Sequence, residues 1–267
     1  MRADPAGQGG RWWVPVSLAL IVSAVAVTAA QAQPDQQPPA NAPQTASRDF
    51  WFGPPRGWLG ARGGWLLNAE GSDIFDFIQD QLTIDSGDLD APTVALDLGI
   101  AVASRLDVVG GFELSRAKTS SEYRKYVDNN LQPIEQETKL NQTLLTGSVR
   151  YVLTPRGRRV SRYAWIPANF IPYVGAGGGV MWYRFEQVGD FVDYEDLSVF
   201  YSTFEASGAT PTAHVFGGFD LKAYKRVFLT VEARYTWASG DLGEDFIDFD
   251  PIDLTGFRLS GGISLVF

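Results

Sequence analysis

The stretch Gly256-Phe257-Arg258-Leu259-Ser260-Gly261-Gly262-Ile263-Ser264-Leu265-Val266-Phe267 decides how this chain is read. Phe257, Leu259, Gly261, Ile263, Leu265 and Phe267 alternate with Gly256, Arg258, Ser260, Gly262, Ser264 and Val266. Successive side chains of a strand point to opposite faces, so the run has one mainly apolar face and one mainly small or polar face. A strand with lipid on one side and a lumen on the other has that composition.

The same period of two recurs upstream, over about 58–68, 93–102, 106–114, 138–153, 170–187, 209–222 and 227–238. In the first of these, Leu59, Ala61, Gly63, Trp65 and Leu67 share a face. The second is the clearest: Val94, Leu96, Leu98, Ile100 and Val102 face outward, with Ala95, Asp97, Gly99 and Ala101 opposite. An Asp amid so apolar a strand suits a polar lumen and suits lipid badly. In the fifth, Tyr173, Met181, Tyr183 and Phe185 read as lipid-facing, with Trp182, Arg184 and Glu186 inside. Together with the closing strand this makes an all-β, antiparallel up-and-down transmembrane barrel of eight strands, an even number as such barrels need. Ten strands, with an extra hairpin within 188–207, is the alternative. Short links follow strands two and six, and long ones follow strands one, three, five and seven. The link at 154–168 is basic, with Arg156, Arg158, Arg159 and Arg162.

The N-terminal end agrees with this placement. Arg2 and Arg11 precede an apolar stretch from Trp12 to Ala30, and Ala30-Gln31-Ala32 gives a small-x-small cleavage pattern. Residues 1–32 read as a secretory signal peptide cut after Ala32, a retained anchor being the alternative. Residues 33–50, rich in Gln, Pro and Ala without periodicity, read as a disordered periplasmic leader. The remaining 51–267 form the barrel. With no Cys, the chain has neither disulfides nor cysteine chemistry. A net charge of −9 disfavours nucleic acid as a partner.

From about Trp58 to Phe267 the chain resembles the small bacterial outer-membrane β-barrel proteins of the superfamily containing the OmpA transmembrane domain, OmpX and OmpW. The residues that carry the resemblance are Pro172-Tyr173-Val174-Gly175-Ala176-Gly177, Val231-Glu232-Ala233-Arg234-Tyr235 and Gly262 to Phe267. It implies insertion in the outer membrane of a Gram-negative cell envelope, with Phe257, Leu259, Ile263, Leu265 and Phe267 as the insertion signal. It also implies outer-membrane lipid, lipopolysaccharide and the barrel-insertion machinery as partners. It supplies no catalytic residue, metal or cofactor.

The expected lumen face collects charges of both signs: Arg62, Asp97, Asp107, Glu113, Arg150, Arg184, Glu186, Asp220, Glu232, Arg234 and Arg258, with His214 among them. An eight-stranded barrel is only wide enough for side chains to fill it. Buried charges must therefore pair, which points to a salt-bridged plug, with a narrow gated pore as the alternative. His214 is the only histidine, so imidazole chemistry has one candidate. A Ser-His-acid arrangement that modifies lipid A needs a hydroxyl within reach, and Thr212 and Phe216 flank His214 on its own strand.

The stretches 70–90 and 239–253 carry many carboxylates and no Lys or Arg. They read as solvated acidic loops, or as divalent-cation ligands without the spacing of a calcium loop. Within the first, Ile74, Phe75, Ile78 and Leu82 recur at helical spacing. The glycines at 175–179 read as close strand packing. The expected role is non-enzymatic: a monomeric structural or surface-interaction protein, with an extracellular ligand. The alternatives are a narrow channel for ions or small solutes and, behind it, a lipid A-modifying enzyme.

Overall fold

The computed structural model describes residues 50–128, 131–162, 164–193, 197–243, 246 and 249–267. The expected signal peptide, and the expected leader apart from Phe50, lie outside them. In chain order the elements are β1 (Gly57–Asn68), α1 (Asp73–Gln81), β2 (Ala91–Ala103), β3 (Leu106–Val127), β4 (Pro133–Val152), β5 (Gly157–Ser161) and β6 (Ala164–Pro167). There follow β7 (Phe170–Val192), β8 (Val199–Tyr224), β9 (Val227–Trp237), β10 (Ser239–Gly240), β11 (Ile252–Asp253) and β12 (Gly256–Val266).

Eight of these strands close into a barrel in the order β1-β12-β9-β8-β7-β4-β3-β2, all antiparallel. The closing seam pairs β1 with β12, from Trp58 opposite Val266 to Asn68 opposite Gly256. The ten-stranded alternative does not hold: 188–192 and 199–207 continue β7 and β8 and pair with each other.

The barrel is inverted relative to a water-soluble protein. Val94, Leu96, Leu98, Ile100, Leu145, Val149, Leu259, Ile263 and Leu265 are exposed on its outside. Asp97, Asp107, Glu113, Arg150, Arg234 and Arg258 are buried inside. A continuous exposed apolar wrap around a charged interior is stable against lipid and unstable in water.

Strand length divides the barrel into two halves. β1, β2, β9 and β12 run 11–13 residues, enough to cross a bilayer when tilted. β3, β4, β7 and β8 run 22, 20, 23 and 26 residues, so they rise well beyond it as a four-stranded sheet. The links after β3 and β7, expected to be long loops, are therefore the tips of two tall hairpins. Long links remain only after β1, where α1 lies, and after β9. The 154–168 link is not a simple loop either: β5 and β6 form a small hairpin of their own.

The projecting sheet also reverses one face assignment. Met181, Tyr183 and Phe185 point inward and are buried, as does Tyr173 lower in the same strand, whereas Trp182 and Arg184 point outward and are exposed. Glu186 shares their outward face and pairs with Lys139 on the neighbouring strand. Arg184 and Glu186 are thus not lumen residues. Alternation reports two faces but not which one faces in. Above the membrane the apolar face covers the plugging loops and the charged face meets water. The cross-strand rows mark the boundary. Leu114, Thr143, Trp182 and Ala209 align in one row, Arg116, Asn141, Arg184 and Ser207 in the next, and Lys118, Lys139, Glu186 and Glu205 above them.

Candidate functional site

The lumen holds one connected charge network centred on Glu232 of β9. Arg62 of β1 donates through Nε and Nη2 to both oxygens of Asp97, at 2.7 and 3.0 Å. Its remaining nitrogen reaches Glu232 Oε1 at 2.6 Å and Ser260 Oγ at 3.0 Å. Arg234 donates to the same Glu232 oxygen at 2.9 Å. The Tyr173 hydroxyl donates to the other at 3.1 Å. Charge-assisted, bidentate bonds of this kind are the strong ones, and they offset the cost of burying the ions.

Two further clusters lie along the barrel axis. Arg150 pairs with Asp220, and its guanidinium lies 3.7 Å from the centre of the Tyr173 ring, a cation–π contact. Asp107, fully buried, takes Arg156 at 2.7 Å and the Trp58 indole N–H at 3.3 Å. Toward the other mouth Arg258 pairs with Glu113 at 2.5 Å and donates to Gln142 Oε1 at 3.1 Å. Of the charges expected in the lumen, all but Arg184 and Glu186 sit in these clusters. Tyr173, Trp58, Arg156, Gln142 and Ser260 complete them and were not among the sequence candidates. Arg156 belongs to the basic 154–168 link, and nothing in the sequence shows that it bends back to Asp107.

His214 is buried beside Ser148, whose Oγ lies 2.8 Å from His214 Nε2. The serine comes from β4 and the histidine from β8, two strands apart, so no spacing along one strand could reveal it. The strand between them permits the approach. A Cβ on Gly177 would stand 2.6 Å from Ser148 Oγ, and one on Gly175 would run into the Phe216 ring and the Val149 carbonyl. The imidazole Nδ1 has no hydrogen-bond partner among the described residues. A nucleophilic triad needs a carboxylate there and an open path to substrate. This pair has neither: Ser148 and His214 are 7% and 1% exposed.

Both mouths are covered. At the long-link end, Ile74, Phe75 and Ile78 on one face of α1, with Leu82, pack onto Leu140, Leu144, Met181, Tyr183 and Phe185 from the barrel wall. Phe246, Ile252 and Leu254 of the last long link close the same cluster. Each such side chain contributes about 1.5–3 kcal/mol when removed from water. Within the same 70–90 link the Glu70 carboxylate accepts from Gln79 Nε2 at 2.9 Å and from the Gly87 N–H at 3.2 Å. Burial pushes its pKa above the usual carboxylate value. The Gly87 bond opposes the shift, while Asp90 and Asp88 add to it. At the opposite mouth Trp51 stacks on Trp165 of β6, with ring centres 5.2 Å apart. Backbone hydrogen bonds of 2.8 and 2.9 Å join the same two residues. Under them lies a cavity of about 40 Å³ bounded by Trp58, Arg150 and Asp220.

No family model and no curated protein matches this chain. Among solved structures it is similar in fold to Neisserial surface protein A, at 13% identity, covering 79% of this chain and 97% of that one, with a TM-score of 0.42. It is similar also to the N-terminal β-barrel domain of Pseudomonas aeruginosa OprF (10% identity, 80% and 98% covered, TM-score 0.35). A third is Ail, the attachment invasion locus protein of Yersinia pestis (10% identity, 79% and 99% covered, TM-score 0.36). The likeness is one of fold, the closed antiparallel barrel of eight strands described above.

Proposed function

We propose that this is a closed outer-membrane barrel that acts through its outer surface, as a non-enzymatic structural or surface-interaction protein. The observation that carries the reading is the pairing of two covered mouths with a tall sheet. Segments of the chain itself cover both ends of the lumen, while β3, β4, β7 and β8 rise beyond it. Among the described residues the second edge of β8 has no paired strand before Ala213, and Phe200 and Tyr201 are exposed near its start. An open strand edge offers backbone donors and acceptors to an extended segment of another protein.

In this reading the chain is exported with loss of residues 1–32 and is inserted through its last strand by the barrel-insertion machinery. It works as a monomer, with lipopolysaccharide around the row of Arg116 and Arg184. Its acidic links stay solvated above that layer. Imidazole chemistry on lipid A fits poorly, because the Ser148–His214 pair lies inside the barrel wall.

Ion conductance of the membrane-extracted protein in a planar bilayer tests this. Silence, with folding verified by a heat-dependent gel shift, is the expected result. Discrete and reproducible steps would replace it with the channel reading, the lumen charges then lining a water path.

A further inference from the structure

The two ends of this acidic chain differ in sign. At the long-link end carboxylates dominate. At the short-turn end the exposed charged side chains among the described residues are Arg56, Arg158, Arg159, Arg162, Lys225 and Arg226, all basic, with Arg105 half-buried beside them. Among the described residues the side-chain carboxylates there, Asp107 and Asp220, are both turned into the lumen against Arg150 and Arg156. With a net charge of −9 over the whole chain, composition does not account for a basic end.

These bases are not evenly spread. A cleft of about 550 Å³ opens between the segment 52–56, the turn joining β2 to β3, and the β5–β6 hairpin. Arg56, Arg156, Arg159 and Arg162 line it, and among the described residues no carboxylate does. One wall is apolar and belongs to the membrane face: Val102 ends the outward row Val94, Leu96, Leu98, Ile100 of β2 and is 56% exposed. Phe52, at the rim, is 85% exposed. Guanidinium groups beside a lipid-facing apolar row match a molecule with an anionic head and hydrocarbon tails.

We propose that this cleft is a binding site for one anionic phospholipid of the periplasmic leaflet. The acyl chains lie along Ile100 and Val102, and the headgroup phosphate sits between Arg56 and Arg159. Arginine suits this role because its planar fork meets phosphate oxygens two at a time. Arg156 contributes field more than contact, since its Nη2 is committed to Asp107 at 2.7 Å and its Nε to the Ser104 carbonyl at 3.1 Å. The lipid would tie the β5–β6 hairpin, which carries Trp165 over the lumen, to the membrane surface.

The test is native mass spectrometry of the protein released from nanodiscs of equal parts phosphatidylglycerol and phosphatidylcholine. The expected result is one retained phosphatidylglycerol in preference to phosphatidylcholine. In Arg56→Gln/Arg159→Gln, affinity for it should fall about 30-fold, given the worth of two bases near an anionic surface. The control Arg158→Gln/Lys225→Gln removes the same charge from the same end outside the cleft and should retain the lipid. Arg56→Lys/Arg159→Lys should restore part of the loss. Equal retention of the two lipids by the unaltered protein would overturn the proposal, and that arm needs no variant to fold. Equal loss in the cleft and control variants would reduce it to general surface charge. Displacement of the lipid by millimolar inorganic phosphate would make the cleft a solvent-anion site and would also overturn it.

Discussion

Ser148 Oγ and His214 Nε2 meet at 2.8 Å across the backbone of Gly177, the residue opposite both of them in β7. The contact joins β4 to β8 inside the wall, so it depends on the absence of a side chain on the strand between. Gly177→Ala should destabilise the barrel by about 1–3 kcal/mol through overpacking. Ser148→Ala should cost about 1–2 kcal/mol, one hydrogen bond and a stranded imidazole nitrogen. Urea unfolding followed by the heat-dependent gel shift measures both. A lipid A profile changed by Ser148→Ala, at unchanged stability, would restore the enzymatic reading.

Glu232 accepts from Arg62, Arg234 and Tyr173, so its neutralisation takes the carboxylate from Arg234 and leaves Arg62 with Asp97 alone. Glu232→Gln should therefore cost about 3–5 kcal/mol, the range for breaking one partner out of a buried ion cluster. Arg234→Ala should cost less, because Glu232 keeps Arg62 and Tyr173. A double-mutant cycle over Arg62 and Glu232 should give a coupling of about 0.5–3 kcal/mol. Additive losses would mean the network is not one unit.

The contrast between Asp97 and Arg184 shows what was legible in the sequence. Asp97 lies between Leu96 and Leu98 in a strand whose other face is uniformly apolar, so lipid and lumen could be told apart from composition alone. The same holds for Glu232, Arg234 and the closing strand. Arg184 alternates with Tyr183 and Phe185 just as regularly. There, however, the strand has left the lipid, and the apolar side turns inward onto Phe75 and Phe246. Ser148 with His214, and Arg258 with Gln142, were hidden for a different reason: such pairs depend on the stagger between non-adjacent strands, which no single strand encodes. The helix at Asp73–Gln81 was visible in its period, and its place over the mouth came only with the barrel wall beneath it.

The outward rows set where the membrane begins, and a charge scan should find that edge. Leu98, paired with Leu59 and Gly110, lies well inside the apolar band. Leu98→Arg should lose about 2–4 kcal/mol, as for a base near the bilayer midplane. Asn141→Arg, in the row that already holds Arg116 and Arg184, should lose about 0–1 kcal/mol. Unfolding of both variants in lipid vesicles gives the comparison. Equal costs would move the boundary away from Trp182.

Glu70 makes the cover over the long-link mouth sensitive to pH. Its folded-state pKa is raised by burial, reinforced by Asp88 and Asp90 and only partly opposed by the Gly87 N–H. A carboxyl group raised in this way binds its proton more tightly in the folded link than in the opened one. Its contribution to closure is therefore complete below the ordinary carboxylate pKa, about 4.3, and is lost as pH rises through the raised value. Acidification should then tighten the segment 70–90. Hydrogen exchange at Phe75 and Ile78, corrected for intrinsic rates, should slow on going from pH 7 to below about 4.3, while amides of β12 stay unchanged. Glu70→Gln keeps an acceptor for Gly87 and removes the titration, so its exchange should match the acid form at both pH values. If the unaltered protein and Glu70→Gln share one pH response, some other carboxylate of the link controls the cover.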